Sequence, residues 1–135
     1  MAIQLSTAVR NGRLDSIETV IGTSAVLKIR TGAAPANCGT ADSGTVLATL
    51  NLPSDWMAAA SGGTKAKSGT WEDLSADAAG TAAHFRLYAS DGTTCGLQGT
   101  VTATGGGGDM TLDNLVFAAA QAFTITAFAI TDANA

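Results

Sequence analysis

The stretch CGTADSGTVLAT at 38–49 is echoed by CGLQGTVTAT at 95–104, and the resemblance extends to either side. An alternating basic segment precedes each cysteine, LKIR at 27–30 and FRLY at 85–88. Asn-Leu, a bulky residue and an alanine run follow each, NL…MAAA within 51–60 and NLVFAAA at 114–120. Inward positions match in phase, Val46 with Val101 and Ala48 with Ala103. Chance matching in a chain rich in Ala, Gly and Thr is the competing explanation. An ancient duplication accounts better for the whole ordered series. It predicts two similar β-meander halves packed face to face, an all-β, jelly-roll-like β-sandwich over about residues 24–132.

The period of the apolar residues supports this division. In 24–31, Ala25, Leu27 and Ile29 share a face opposite Val26, Lys28 and Arg30. Val46, Ala48, Leu50 and Leu52 share another, as do Phe85, Leu87 and Ala89, and Val101 with Ala103. Further strands are expected near 65–72 and 109–116. In FTITAFAIT (123–131) the phase slips between Ile125 and Phe128, which predicts a β-bulge near Ala127. Only the start of the chain departs from period two. Leu5, Val9, Leu14, Ile17 and Ile21 fall near one helical face, with Ser6 or Thr7 to cap and Gly22 to end a helix over about 5–21. Gly12 weakens that helix by about 1 kcal/mol relative to Ala. With 135 residues, the simplest organisation is one domain over 1–135.

Charge is sparse, 13% of residues, with a formal net charge of −4. A surface so poor in charge suits association. Residues 1–32 hold four of the seven basic side chains, Arg10, Arg13, Lys28 and Arg30, while the remainder is acidic. An acidic body argues against nucleic acid as a partner. The apolar run 117–130 is too short and too threonine-rich to span a bilayer, so no membrane partner is expected. No secretory leader pattern precedes the helix, which points to synthesis in a cytoplasm. That compartment favours free thiols at Cys38 and Cys95, although a particle released from the cell could still oxidise them.

Catalytic and metal-binding patterns are not expected. His84, the single histidine, opens a strand and reads as a strand-surface residue without a triad around it. GGGGDM at 105–110 lacks the Lys-Ser/Thr of a phosphate loop and reads as a flexible connection. The carboxylates Glu72, Asp73 and Asp77, and Asp109 with Asp113, have no EF-hand spacing and read as turn formers. No cofactor is implied. The candidate interface residues are Leu5, Val9, Arg10 and Arg13 on the helix, together with Trp56 and Trp71, which serve either as interface anchors or as caps on the open end of a sandwich.

The opening segment MAIQLSTAVRNGRLDSIETVIGTSAVLKIRTGAAPA, with LPSDWMAAASG, SGTW and FRLYASDGTTC, resembles small virion proteins of tailed bacteriophages over nearly the whole chain. Within that group it is most similar to capsid cement, or decoration, proteins. The resemblance implies a β-rich virion protein without catalytic residues. It would bind the major capsid protein on the outside of an assembled shell across joints between capsomers. Self-association is expected, a homodimer before a trimer. The alternative is a tail or fibre module that recognises a host-surface carbohydrate through exposed aromatics.

Overall fold

Ser6 opens the one helix among the residues described by the computed structural model, which are 3–135; Met1 and Ala2, the first two residues of the expected domain, lie outside them. The Ser6 hydroxyl accepts from the Val9 N–H, and α1 runs Thr7–Ile21. Gly22 ends it at φ +94°, its N–H bonded to the Glu18 carbonyl.

The rest is β-rich. The strands are β1 (Val26–Arg30), β2 (Val46–Asn51), β3 (Thr64–Ala66), β4 (Trp71–Asp73), β5 (Gly80–Thr81), β6 (His84–Tyr88), β7 (Cys95–Ala103), β8 (Met110–Leu112), β9 (Val116–Phe117), β10 (Phe123–Ile125) and β11 (Ala129–Thr131). Five form a mixed sheet in the order β2-β1-β6-β7-β8. The others form two-stranded pairs, β10 with β4, β11 with β3, and β5 with β9.

The GTVxAT segments of the repeat do not correspond in the sheet: Val46 stands opposite Arg30, the place Cys95 takes opposite Tyr88, while Val101 lies past His84, and Ala103 is exposed where Ala48 is buried. Only LKIR and FRLY keep matching places, each in the first strand of a hairpin, β1-β2 and β6-β7. The two hairpins lie edge to edge within one sheet and not face to face, because β1 and β6 pair directly. The register Leu27↔Leu87, Lys28↔Arg86, Ile29↔Phe85 is unchanged when 27–30 and 85–88 are exchanged. Alternation then sends Leu27, Ile29, Phe85 and Leu87 to one face, all essentially solvent-free. Ala48 and Leu50 join them from β2, while an irregularity opposite Ile29 and Arg30 turns Leu47 inward as well.

A second layer covers this apolar face. Trp56 packs on Trp71 with ring centroids 6.3 Å apart, and Trp71 on Phe128 at 5.6 Å. Phe128 then meets Phe85 edge-on at 5.7 Å. The aromatic chain thus ties the short pairs to the sheet. The expected bulge near Ala127 is instead a complete break. β10 pairs with β4 and β11 with β3, which turns both Ile125 and Phe128 into the core. The stretches expected as single strands near 65–72 and 109–116 are likewise divided, into β3 and β4 and into β8 and β9.

Two features finish the sheet. The outer edge of β2 is covered by residues 71–77: the Thr49 N–H donates to Asp73 Oδ2 at 2.9 Å, the Thr49 hydroxyl to Asp77, and the Asp77 N–H to the Leu47 carbonyl. An edge so capped is closed to strand addition. At the other side β8 runs parallel to β7 after only the turn 104–109, where a parallel crossover ordinarily takes a dozen residues or more. The glycine run makes this possible. Gly105 and Gly107 adopt φ of +87° and +80°, and Gly106 and Gly108 press so closely on Thr102 that a Cβ would sit 2.8 Å from it. The Gly108 N–H donates to the Thr102 hydroxyl, and Thr100 and Asp109 exchange bonds across the turn. What reads as a flexible connection is therefore a turn anchored at several points.

Candidate interaction surface

Helix α1 docks on its own body through Leu14, Ile17 and Ile21 and through the half-buried polar groups beside them. Asn11 Oδ1 accepts from the Gly63 N–H and Asp15 Oδ1 from the Ala60 N–H, each at 2.9 Å, and Glu18 Oε1 accepts from the Met57 N–H. Lys65 of β3 enters between the two carboxylates, its Nζ 2.8 Å from Asp15 Oδ1 and 3.1 Å from Glu18 Oε2, and also donates to the Ala58 carbonyl. Burial opposes the Lys65 charge, but the hydrogen bonds to Asp15 and Glu18 outweigh it and hold the ammonium above its ordinary pKa. Leu14 and Ile21 are buried beside this network, and Ile21 rests on Gly96 of β7, where no Cβ fits.

Because α1 uses that side inward, Val9 and Val20 face solvent, at 50% and 83% exposure. Val9 therefore does not share the buried face with Leu14 and Ile21. Arg13 and Ser16 lie between the two valines on the same stripe, and both are exposed. Ile3, just ahead of the helix, is 81% exposed. Leu5 is half-buried, its N–H bonded to the Asn134 carbonyl.

The remaining candidates separate. Arg10 turns back over Gly63 and donates to the Asp132 carbonyl at 3.2 Å, so it fastens the C-terminal segment. Arg13 pairs with Asp132 at 3.3 Å but stays half-exposed. Trp56 and Trp71 are fully buried, with their indole N–H groups on the carbonyls of Gly22 and Ser68. They are core residues, unavailable as surface anchors. Sequence reasoning missed Lys65, Asp15 and Glu18; the i, i+3 spacing of the two acids on the helix was the available signal.

The opposite face of the sheet is polar and is covered by the loop 31–45. Cys38 in this loop is disulfide-bonded to Cys95, with Cα atoms 5.3 Å apart, which corrects the expectation of free thiols. Asp42 accepts from Arg30 at 2.9 Å, from Arg86 at 2.7 Å and from the Tyr88 hydroxyl at 2.7 Å. Burial pushes the Asp42 carboxyl up, yet the bonds from Tyr88 and Arg86 and the two guanidinium charges hold it below the ordinary range. His84 is fully buried here and not a surface residue, its Nδ1 2.7 Å from the Gly32 carbonyl. It is covered because the loop leaves the sheet directly above it.

Among the described residues no cluster of three or more His, Cys, Asp or Glu side chains is placed to hold a metal ion. Asp73, Asp77, Asp109 and Asp113 are each bonded to a threonine, at Thr49, Thr100 or Thr104. No described helix is long and apolar enough to cross a membrane. No protein-family model, curated protein or solved structure matches the chain.

Proposed function

We propose that this chain is a structural virion protein that binds the outside of an assembled phage capsid and stabilises it by bridging capsomers. The observation that carries the reading is the outward stripe of α1: a helix held on its body by Leu14, Ile21 and half-buried polar groups leaves Val9 and Val20 uncovered. Apolar side chains of this kind contribute about 1.5–3 kcal/mol each when an interface covers them. The exposed Arg13 beside them adds about 0–1 kcal/mol. The partner in this reading is the major capsid protein, as the resemblance read from the sequence implies. A ligand that binds assembled shell and not loose subunits stabilises the shell by mass action. Association into a homodimer, or a trimer, would add avidity.

The finer description of the fold belongs with this reading. We take the five-stranded sheet and the facing layer of short pairs as a jelly-roll-like sandwich. The alternative, a tail module for carbohydrate, calls for an exposed aromatic platform. Trp56, Trp71 and Tyr88 are all buried, which favours the capsid.

The test replaces Val9 and Val20 with Glu together and measures co-sedimentation with assembled, undecorated shells. Both positions are exposed, so the variant keeps its thermal unfolding midpoint, and binding falls about tenfold or more. Undiminished decoration by the folded variant overturns the assignment of this stripe. Deleting residues 1–22 is a poorer test, since the Gly22 carbonyl holds Trp56 and Ile21 lies in the core.

A further inference from the structure

Loop 31–45 has no strand or helix, yet it lies closed on the sheet. Backbone contacts alone do not explain the closure. Arg86 donates to the carbonyls of Asn37 and Thr40, Gln98 to that of Pro35, and Arg30 reaches Asp42. The loop carries one charged side chain, Asp42, and the covered face carries Lys28, Arg30 and Arg86. Arg30 and Arg86 are 6% and 2% exposed while the Asp42 side chain is 40% exposed, so two buried guanidinium groups share one carboxylate that reaches solvent at its outer side. Removing the carboxylate while the loop stays down leaves two buried guanidinium charges without their partner, which is unfavourable. The disulfide fastens the same loop four residues away, at Cys38, to the far strand β7.

We infer that residues 31–45 form a strap with two fasteners of different chemistry, the Cys38–Cys95 bridge and the Asp42 ion pair, and that either alone keeps it closed. The strap opens only when both are released. Reduction by a dithiol proceeds by thiolate attack on one sulfur, cleavage of the Cys38–Cys95 bond and resolution by the second thiol. Two electrons and two protons pass to the protein, and the reductant leaves as its cyclic disulfide. The ionic fastener is untouched by this step. The groups facing Asp42 are Arg30 of β1 and Arg86 and Tyr88 of β6, with Lys28 over the Tyr88 ring at 5.0 Å and His84 on the same polar face. A chain folding in a reducing compartment therefore closes its strap before the bridge forms, and oxidation adds the second fastener.

Amide hydrogen exchange across 31–45 tests this, read at Gly39 and Thr40, whose N–H groups bond to Asn37. Four states are compared: wild type oxidised, wild type with dithiothreitol, Asp42→Asn oxidised, and Asp42→Asn with dithiothreitol. The first three exchange within about threefold of one another, and the fourth exchanges about tenfold faster or more, while Leu27 and Leu87 amides remain protected. Opening of the reduced wild type to the level of the fourth state overturns the inference, as does opening of oxidised Asp42→Asn, or a closed fourth state. If Asp42→Asn does not fold, Cys38→Ser/Cys95→Ser protein acidified below the ordinary carboxylate range, as the lowered Asp42 requires, reaches the doubly released state once Asp42 is protonated. The same criteria then apply, with the same protein at neutral pH as the single-release control.

Discussion

Lys28 stands directly opposite Arg86 at the seam between β1 and β6, and LKIR and FRLY are related by exchange about that pair. Like charges facing each other across strands are unfavourable. Here they part: the Lys28 ammonium lies over the Tyr88 ring and donates to the Gly92 carbonyl, while Arg86 turns to Asp42 and the strap. The apolar neighbours on the other face are related by the same exchange, Leu27 with Phe85 and Ile29 with Leu87.

Equivalent positions should therefore respond alike. Ile29→Ala and Leu87→Ala each remove a fully buried side chain from the same sheet face. Each should cost about 2–5 kcal/mol, with the two values within about 1 kcal/mol of each other, measured by urea unfolding.

Lys65 provides a second prediction. Lys65→Met keeps the stem volume but removes the ammonium between Asp15 and Glu18. Both acids reach solvent in part, so the loss falls below that of a fully buried pair, at about 2 kcal/mol near neutral pH. Because the folded protein holds this ammonium above its ordinary pKa, its contribution is complete below about pH 10 and is lost as pH rises through the folded value. Wild type should lose stability relative to Lys65→Met above about pH 10.5, read as converging unfolding midpoints.

Acid acts through different groups. Asp91 is held at about 2 by the Thr94 and Thr93 hydrogen bonds, and Asp15 lies below its usual range through Lys65 and the Ala60 N–H. Asp42 is lowered by Tyr88 and the arginines against its burial. A depressed carboxyl contributes above its unfolded pKa and ceases to contribute as pH falls through the folded one. Stability should thus be flat from about pH 7 to 5 and fall between about pH 4 and 2. Asp42→Asn should flatten part of that fall, as measured by thermal unfolding across the range.

The strands of the two hairpins were legible because alternation is a local signal, whereas the repeat misaligned them: GTVLAT at 44–49 stands where 93–98 does, not at GTVTAT. Leu27, Ile29, Ala48 and Leu50 needed only the period of a strand. Their arrangement was not legible: nothing in LKIR or FRLY states that the two segments pair with each other instead of facing across a core. Val9 was misplaced because an apolar residue near the right helical phase reads as buried. The helix docks through Leu14, Ile17 and Ile21 as the period implies, but also through Asn11, Asp15 and Glu18, whose partners are backbone N–H groups of 57–63 and a lysine 50 residues away. Trp56 and Trp71 sit in Ala/Gly-rich surroundings that look like surface loops, and their indole partners are carbonyls, which leave no trace in sequence. The bridge was obscured by compartment logic, and the repeat that aligns the cysteines in sequence does not align them in the fold, where Cys38 lies in the loop and Cys95 opens β7.

Gly12 separates stability from function. It occupies a helix interior with nothing within 4 Å of the place a Cβ would take. Helix formation alone favours Ala there by about 0.5–1 kcal/mol, so Gly12→Ala should raise the unfolding midpoint by about 2–6 °C. Gly12 also borders the stripe of Val9, Ser16 and Val20, the surface proposed to meet the capsid. If a shell or a second copy packs closely there, the added methyl holds the surfaces apart, and overpacking of this kind costs about 1–3 kcal/mol. The variant should then be more stable and yet bind shells about 5- to 100-fold more weakly, in parallel melting and co-sedimentation measurements. Arg10→Ala should do the reverse, since Arg10 fastens Asp132 within its own chain: a lower melting point with shell affinity retained. A Gly12→Ala protein that melts higher and decorates fully would place the contact away from α1.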